Sequence, residues 1–375
     1  MLNHALATLI GTVVYTWIVY PLLLLFFASF SKRKPGASQT VIPFVSIIIA
    51  VHNEERTIES KLRDCSKLLY PTDRIEIIVA SDGSSDRTEE IVLRASQNDS
   101  RIRWIASEGR LGKSGIQNLA ADQARGDLLL FTDAETSFAP KALQSMVDKL
   151  ADPEIGLVTA TVMLGNPEDD IEKSQGFYWR YELLLRNAES DIGMLATGSG
   201  QALLLRRELF RHLPGRYGDD CVIPIDIRLQ GYRVIQDRGA IVFDTMPHSM
   251  EGELRVRIRM TARNWTGTLA RSRIFNPFRF PLTAVGLVSH KLLRWLTPLF
   301  LIAIFLLSFT LRGNAVFFLM IQSAFYISAL AGWQMTKRKR NAGVLGYSFS
   351  FCLANVGFLL GIIKALLNET IVAYR

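Results

Sequence analysis

Two carboxylates one residue apart follow an apolar run in the stretch LLLFTDAETSF, residues 128–138. The run Leu128–Phe131 predicts a buried strand, and Asp133 and Glu135 come shortly after it. Carboxylate oxygens are hard ligands that suit Mg²⁺ or Mn²⁺, and an ion held in this way can also grip a diphosphate. The other interpretation of the pair is a solvated loop with no ligand.

A short basic loop, RLGKSG at Arg110–Gly115, lies upstream of this strand. Its glycines allow close backbone approach, and Lys113 provides a counter-charge for phosphate just before a predicted helix N-terminus. Taken alone, Lys113 could equally be a surface lysine. The loop is not a P-loop, because GxxxxGK[ST] is absent, and no GxGxxG follows the first predicted strand. These absences argue against a nucleotidyltransferase and a dinucleotide-binding domain.

Short β-branched runs alternate with helical patterns around these motifs. The predicted strands are Val45–Ala50, Ile75–Ala80, Ile102–Ala106 and Leu128–Phe131, and the predicted helices are Glu54–Leu69, Asp86–Ala95 and Ser114–Ala124. Apolar strands that alternate with helices predict a mostly parallel, Rossmann-like sheet covered on both faces. Such sheets bind ligands at the carboxyl ends of their strands. The polar groups that follow the strands should therefore meet at one edge: His52, Glu54, Asp82, Asp133 and Glu135.

The composition indicates that part of the chain lies in a membrane. Of its 375 residues 49% are hydrophobic, which is high for a purely soluble protein. Four apolar segments approach the ~20 residues that a helix needs to cross a bilayer: Leu6–Phe30, Trp295–Leu311, Ala315–Met335 and Tyr347–Leu367. The net charge of +8 comes from basic residues beside these segments, which favours a membrane surface and not nucleic acid as the partner.

Basic clusters also predict the orientation of the chain. Lys32–Lys34 follow the first segment, His290–Arg294 precede the second, and Lys337–Arg340 link the last two. All three clusters lie on the cytoplasmic side if the N-terminus is outside. The first segment lacks the basic start of a cleaved signal peptide. We therefore predict a multi-pass protein of the cell membrane whose residues 40–280 are cytoplasmic.

The remaining organisation follows from composition. We divide the chain into an N-terminal transmembrane helix at 1–34, a cytoplasmic domain at 40–253, interfacial amphipathic helices at 254–292 and three transmembrane helices at 293–375. The interfacial region is rich in Arg, Phe and Trp, which suits the boundary with anionic lipid headgroups. The three cysteines show no metal-binding or disulfide spacing.

The ordered motifs of residues 45–265 resemble the A-fold inverting glycosyltransferases of family 2, in their membrane-embedded branch. That branch includes cellulose, chitin and hyaluronan synthases and lipid-linked sugar transferases. The resemblance rests on seven segments in order: VSIIIAVHNEE, IIVASDGSSDRT, GRLGKSGIQNLA, LLLFTDAE, TGSGQALLLRREL, GDDCVIPIDIRLQGYRV and RMTARNW. It implies an A-type fold, a nucleotide-sugar donor, and Mg²⁺ or Mn²⁺ as cofactor.

The resemblance also implies roles on the donor side. Glu54 and Asp82 match the residues that hold the nucleotide base and ribose, and we place His52 in the same site. Lys113 matches the lysine near the diphosphate. Asp133 and Glu135 match the metal-binding DxD motif, with Glu at its second acidic position. Asp82 could instead only cap its turn.

On the acceptor side, the Asp219–Asp220 pair matches the family's Glu-Asp pair, and we predict that Asp220 is the general base. Ser199 and Gly200 belong to the matching acceptor-side loop, where we also place Asp219. The two aspartates could alternatively cap a helix.

The segment RMTARNW resembles the QxxRW motif of processive synthases, in which Arg reaches the diphosphate and Trp stacks on the acceptor sugar. Arg263 and Trp265 take these positions, although Trp265 could instead be an interfacial anchor. Met260 replaces the Gln, and Asn264 separates Arg263 from Trp265. This departure argues against processivity.

The predicted function is transfer of a sugar, foremost from a UDP-sugar, to a lipid-linked or growing glycan acceptor at the cytoplasmic membrane face. One alternative is a processive synthase that also secretes its polymer, for which an oligomer or partner subunit could supply further helices. A second is a non-catalytic membrane subunit that keeps the fold.

Overall fold

The computed structural model describes residues 1–31, 42–165, 177–244, 250–310, 315–338 and 343–367. The predicted basic residues 32–34 and 339–340 lie outside these ranges. The described residues group into two compact units. One unit holds the described residues of 27–246 and 266–284, and the other holds those of 1–26, 247–265 and 285–369.

Eight strands of the first unit form one sheet, in the order β3-β2-β1-β4-β7-β6-β8-β5. Their bounds are β1 Val45–Val51, β2 Ile75–Ser81, β3 Ile102–Ala106, β4 Leu128–Thr132, β5 Ser137–Phe138, β6 Ile155–Leu164, β7 Leu203–Arg206 and β8 Arg233–Asp244. Strands β1 to β4 are mutually parallel wherever they pair, which confirms the prediction for that half. The sheet as a whole is mixed, because β7 runs antiparallel to both β4 and β6 and β5 runs antiparallel to β8.

The α-helices of the described residues complete both units. In chain order they are α1 Leu2–Val14, α2 Tyr20–Phe30, α3 Ile58–Ser66, α4 Thr88–Asn98, α5 Gly112–Gln123, α6 Ala142–Lys149, α7 Phe177–Asp191, α8 Asp219–Leu229, α9 Met250–Ala270, α10 Pro281–Gly286, α11 Leu293–Thr310, α12 Ala315–Lys337 and α13 Gly343–Leu366. The helix predicted over Glu54–Leu69 is shorter than expected, because residues 54–57 form the turn that leads into α3.

The sheet is buried on both faces, as continuous apolar strands predict. Every residue of β1 and β2 is buried. Successive side chains of a strand point to opposite faces, and in β1 Ile47 and Ile49 pack in one apolar cluster while Ile48 packs in another. This two-sided core fixes the strands that position the site.

Most residues of the helices that are long and apolar enough to cross a membrane belong to the second unit. Within the described ranges these candidate spans are Leu2–Phe30, Pro281–Thr310, Ala315–Lys337 and Gly343–Leu366. The second begins earlier than the predicted Trp295, because α10, a π-helical segment at Leu287–Leu292 and α11 are continuous. The polar residues His290 and Lys291 interrupt the apolar pattern there without ending the helix.

Candidate active site

The site lies at the carboxyl edge of the parallel half of the sheet. Residues that follow β1, β2 and β4 meet here because the three strands point in the same direction. Strand β7 reaches the same edge with its opposite end, since it runs antiparallel to β4, with Phe131 opposite Leu203. The segment before β7, residues 197–202, therefore lies beside the segment after β4.

Asp82 organises the loop between β3 and α5. Its fully buried carboxylate accepts hydrogen bonds from Arg110 Nε at 3.0 Å and from the backbone N–H of Gly112 at 3.1 Å. The positive φ of Gly112, +74°, suits glycine at this turn. A second link runs through His52, whose Nδ1 lies 2.9 Å from the Asp82 carbonyl oxygen and whose Nε2 lies 2.6 Å from Arg110 Nη1. A carbonyl oxygen can only accept a hydrogen bond and a guanidinium nitrogen can only donate one. Nδ1 of His52 therefore carries the ring hydrogen, and Nε2 accepts the hydrogen bond from Arg110.

Glu54 lies in the turn after β1 and is half-buried. Its carboxylate accepts a hydrogen bond from the Thr57 hydroxyl, and its backbone N–H donates to Thr88 Oγ1 at 2.8 Å. These bonds tie the start of α3 to the start of α4. Glu54 thus lies at the same carboxyl edge as Asp82.

Lys113 joins two acidic positions that the sequence places far apart. Its Nζ lies 2.7 Å from Asp133 Oδ1 and 3.0 Å from Asp219 Oδ2, and Gln117 Nε2 donates to the same Asp219 oxygen at 3.0 Å. Burial alone would lower the pKa of Lys113, but the charges and hydrogen bonds of Asp133 and Asp219 raise it above its ordinary value. Lys113 is therefore a permanent cation at neutral pH.

The segment before β7 brings small residues against this charged group. A Cβ atom added to Gly200 would lie 3.9 Å from Asp133 Oδ2, from Lys113 Nζ and from Asp220 Cβ. The Gly198 backbone N–H donates to the Asp220 carbonyl oxygen at 2.7 Å. Lys113, Asp133 and Asp220 therefore lie around Gly200 at ordinary van der Waals distances, so that one cation and two acidic residues from three segments of the chain are close together.

Ser199 is buried and is held in place by hydrogen bonds to two neighbouring side chains. Its hydroxyl accepts a hydrogen bond from Arg186 Nη1 at 2.8 Å, and its N–H donates to Thr159 Oγ1 at 2.9 Å. Burial lowers the pKa of Arg186, while the charges of Glu182, Glu189 and Asp220 raise it. An arginine remains protonated in such a setting, so a cation lies behind the predicted acceptor loop.

The two aspartates at 219 and 220 begin α8, with Gly218 as the N-cap. Both therefore lie in the first helical turn, where the helix dipole favours negative charge. Asp219 is 7% exposed and points to Lys113 and Gln117, whereas Asp220 is half-buried. The two carboxylates therefore differ in their exposure to solvent.

Arg263 and Trp265 belong to the unit of the candidate membrane spans, on α9. Arg263 is buried. The ring of Trp265 makes an edge-to-face contact with Trp295, with 6.1 Å between centroids. Of the predicted site residues, the structure thus brings together Lys113, Asp133, Gly200, Asp219 and Asp220 as one group and His52 and Asp82 as another.

The residues after β4 suit a divalent metal ion. Within the described ranges there is no group of three or more His, Cys, Asp or Glu side chains around one point. Mg²⁺, however, is commonly bound by one or two carboxylates, with phosphate and water oxygens as the other ligands. The Asp133 side chain is 36% exposed and Glu135 is exposed, so two oxygen donors from a single turn remain accessible to such an ion.

Four further side chains contribute to the site without having been predicted: Lys61, Arg110, Gln117 and Arg186. Arg110 had the clearest signal, since it precedes the GK pair in the same loop. Gln117 lies one helical turn after Lys113, on the same face of α5. Lys61 and Arg186 resemble surface residues of ordinary helices, and only the packing reveals that they are buried.

Comparisons with known proteins show which proteins this chain is similar to. A model of the family described as "Glycosyl transferase family 2" matches residues 46–213. Glycosyltransferase AglD of Haloferax volcanii is 32% identical over 149 residues, which are 39% of this chain and 24% of AglD. Poly-beta-1,6-N-acetyl-D-glucosamine synthase of Staphylococcus aureus is 27% identical over 236 residues, which are 61% of this chain and 56% of the synthase. The matches thus span between about a quarter and just over half of these curated relatives.

Among solved structures, the mannosyltransferase PcManGT from Pyrobaculum calidifontis, in complex with GDP-Man and Mn²⁺, superposes with a TM-score of 0.75. It is 23% identical, and the superposition covers 98% of this chain and 100% of that one. The two proteins share the A-type glycosyltransferase fold, as the sequence motifs predicted.

Proposed function

We propose that this chain, whose residues 46–213 match the family described as "Glycosyl transferase family 2", is a membrane-integral, inverting and metal-dependent glycosyltransferase. Its donor is a nucleotide sugar, foremost a UDP-sugar, and its acceptor is lipid-linked or a growing glycan. Transfer takes place at the cytoplasmic face of the cell membrane.

The observation that carries the proposal is the grouping of Lys113, Asp133 and Asp220 around Gly200. A Cβ atom on Gly200 would lie 3.9 Å from Lys113 Nζ, from Asp133 Oδ2 and from Asp220 Cβ, and Lys113 Nζ lies 2.7 Å from Asp133 Oδ1. A departing diphosphate needs positive charge, and an attacking hydroxyl needs a base. The three side chains supply both requirements from three separate segments of the chain.

Asp220 is the better candidate for the general base. Asp219 is buried, with its carboxylate against Lys113 and Gln117, whereas Asp220 is more exposed and its Cβ lies beside Gly200. The acceptor hydroxyl gives its proton to the Asp220 carboxylate as its oxygen bonds to the anomeric carbon. The bond from that carbon to the diphosphate oxygen breaks in the same step, and the electron pair leaves with the diphosphate. In-line displacement inverts the anomeric centre.

Lys113 stabilises the negative charge that develops on the departing diphosphate. Asp133 and Glu135 would hold the divalent ion, which supplies Lewis-acid neutralisation of the diphosphate when bound. His52, Asp82 and Arg110, which follow β1, β2 and β3, form the linked group that would bind the nucleoside part of the donor.

A membrane acceptor is supported by the candidate spans of the described ranges, one before the catalytic domain and three after it. The order of basic clusters in the sequence favours a cytoplasmic catalytic domain. A processive synthase remains the second candidate, because the chain is similar to the S. aureus synthase over 236 residues. Met260 and Asn264 in the RMTARNW segment favour single transfer.

The test is turnover by the detergent-solubilised protein with Mn²⁺ and a panel of UDP-glucose, UDP-N-acetylglucosamine and GDP-mannose. We expect release of a nucleoside diphosphate from one of them, and the size of the product separates single transfer from polymerisation. Asp220→Asn should reduce turnover about 10²- to 10⁴-fold while donor binding persists. Asp73→Asn, at an exposed position, is the matched control. If no nucleoside diphosphate were released from any of these donors, the proposed transferase activity would be refuted.

A further inference from the structure

Lys61 is one of the largest fully buried side chains of the described residues, with 2% of its surface exposed. A lysine in such a position is unusual, because an ammonium group loses its hydration there. It lies on α3, the helix that follows β1, and points beneath the segment after β4. The buried Lys61 ammonium group therefore needs hydrogen-bond acceptors inside the protein.

The Lys61 ammonium group has two hydrogen-bond partners, which lie at the two ends of one short segment. Nζ donates to Thr132 Oγ1 at 2.9 Å and to the Thr136 carbonyl oxygen at 2.6 Å. The residues between these two include Asp133 and Glu135, the pair assigned to the metal ion. One side chain therefore bridges the start and the end of the acidic turn.

Other contacts hold the same segment from the same helix. The Lys61 ammonium lies 3.9 Å from the centroid of the Phe138 ring, at cation–π distance. Asp64, one turn later on α3, accepts a hydrogen bond from the Phe138 N–H at 2.7 Å. One face of α3 thus fixes the chain from Thr132 to Phe138.

The bridge continues to the acceptor side. The Thr132 hydroxyl accepts from Lys61 and donates to the Gln201 carbonyl oxygen at 2.7 Å. Gln201 follows Gly200, which lies beside Lys113, Asp133 and Asp220. Lys61 is thus connected to both segments that meet at the reaction centre, although it is too deeply buried to touch a substrate.

We propose that Lys61 is a positioning residue of the metal site, which holds the Thr132–Thr136 segment so that the Asp133 and Glu135 carboxylates can bind a divalent ion together with the donor diphosphate. This inference rests on the proposed function. Residues that orient metal ligands typically change metal affinity by about 10- to 100-fold when they are replaced.

The test measures Mn²⁺ binding directly, by electron paramagnetic resonance of the full-length detergent-solubilised protein with saturating UDP or, separately, GDP. We expect Lys61→Met to weaken Mn²⁺ binding by about 10- to 100-fold. Thr132→Val, which removes the hydroxyl, should act in the same direction, and Thr132→Ser, which keeps it, should bind Mn²⁺ like the wild type. Lys67→Met, at an exposed position just after α3, is the matched control.

Thermal unfolding of each variant separates positioning from stability. Lower thermal stability with wild-type Mn²⁺ affinity in both Lys61→Met and Thr132→Val would overturn the inference, since it would reduce Lys61 to a core residue. If Lys61→Met does not fold, the Thr132→Val and Thr132→Ser pair decides. If the wild-type protein binds no Mn²⁺ with either nucleotide, the inference and the proposed metal dependence are overturned together. If the wild-type protein binds Mn²⁺ and the variants bind it equally well, only this inference is overturned.

Discussion

Lys113 forms an ion pair with Asp219, with 3.0 Å between Nζ and Oδ2, and the pair joins the start of α5 to the start of α8. Lys113 also contacts Asp133 on its other side. This single cation therefore neutralises carboxylates from the two segments that we propose bind the donor and the acceptor. Its replacement should affect both.

We expect Lys113→Met to reduce kcat by about 10²- to 10³-fold, the usual consequence of removing one donor that stabilises a developing anion. Asp133 and Asp219 would also lose their common counter-charge. Steady-state kinetics with the active donor measure the effect. Lys113→Arg keeps the charge and should retain more activity than Lys113→Met, and equal activity of the two variants would contradict this role.

Two glycines of the TGSG segment should respond differently to alanine. A Cβ on Gly200 would make only ordinary contacts of 3.9 Å, whereas a Cβ on Gly198 would lie 2.3 Å from Leu203 Cδ2. Gly200→Ala should therefore fold normally but reduce activity, because its methyl group would lie against Lys113, Asp133 and Asp220, where we propose that the substrates bind.

Gly198→Ala should instead destabilise the protein by about 1–3 kcal/mol, as overpacking of a core does. Thermal unfolding and nucleotide release, measured on both variants, distinguish the two effects. A fully active Gly200→Ala variant would show that substrates do not approach Gly200.

Glu76 should make stability depend on acid pH. Burial raises the pKa of its carboxyl group, but hydrogen bonds from Ser46, the Arg125 N–H and Arg103 lower it below the ordinary value of 4.5. A carboxyl group with a lowered folded-state pKa stabilises the fold above its unfolded pKa, and this contribution disappears as the pH falls through the folded pKa.

We therefore expect Glu76→Gln to destabilise the protein by about 2 kcal/mol at pH 7, because a buried charged hydrogen-bond acceptor is lost. The difference from the wild type should shrink as the pH falls below 4.5, the ordinary value for this group. Thermal unfolding over a pH series measures both. Glu59→Gln, at a surface position, should change stability by less than about 0.5 kcal/mol at every pH. A constant gap between Glu76→Gln and the wild type would contradict the assignment.

The first four strands could be predicted from sequence almost to the residue. β1 and β2 were predicted to end at Ala50 and Ala80 and are each one residue longer. Their β-branched runs are buried on both faces, and this makes the pattern continuous and easy to recognise. The grouping of acidic residues at one edge followed from the common direction of these strands.

The reversed direction of β7 could not be predicted in this way. The apolar run Leu203–Leu205 has the same pattern whether its strand is parallel or antiparallel to β4, because the pairing is determined by distant segments. Similarly, Lys61 and Arg186 lie in amphipathic helices where charged residues are normally on the solvent face. Their burial depends on tertiary packing alone.

The pairing of β4 with β7 extends over only four residues, from Leu128 opposite Arg206 to Phe131 opposite Leu203. This short ladder holds the segment after β4 next to the segment before β7. The distance between these two active-site segments is therefore determined by backbone geometry and not by the choice of side chains. Substitutions that adapt either segment to a new sugar would leave this spacing intact. A one-residue insertion within either strand would instead turn the side chains beyond it to the opposite face. Changes in sugar preference would therefore have to arise without insertions in these two strands.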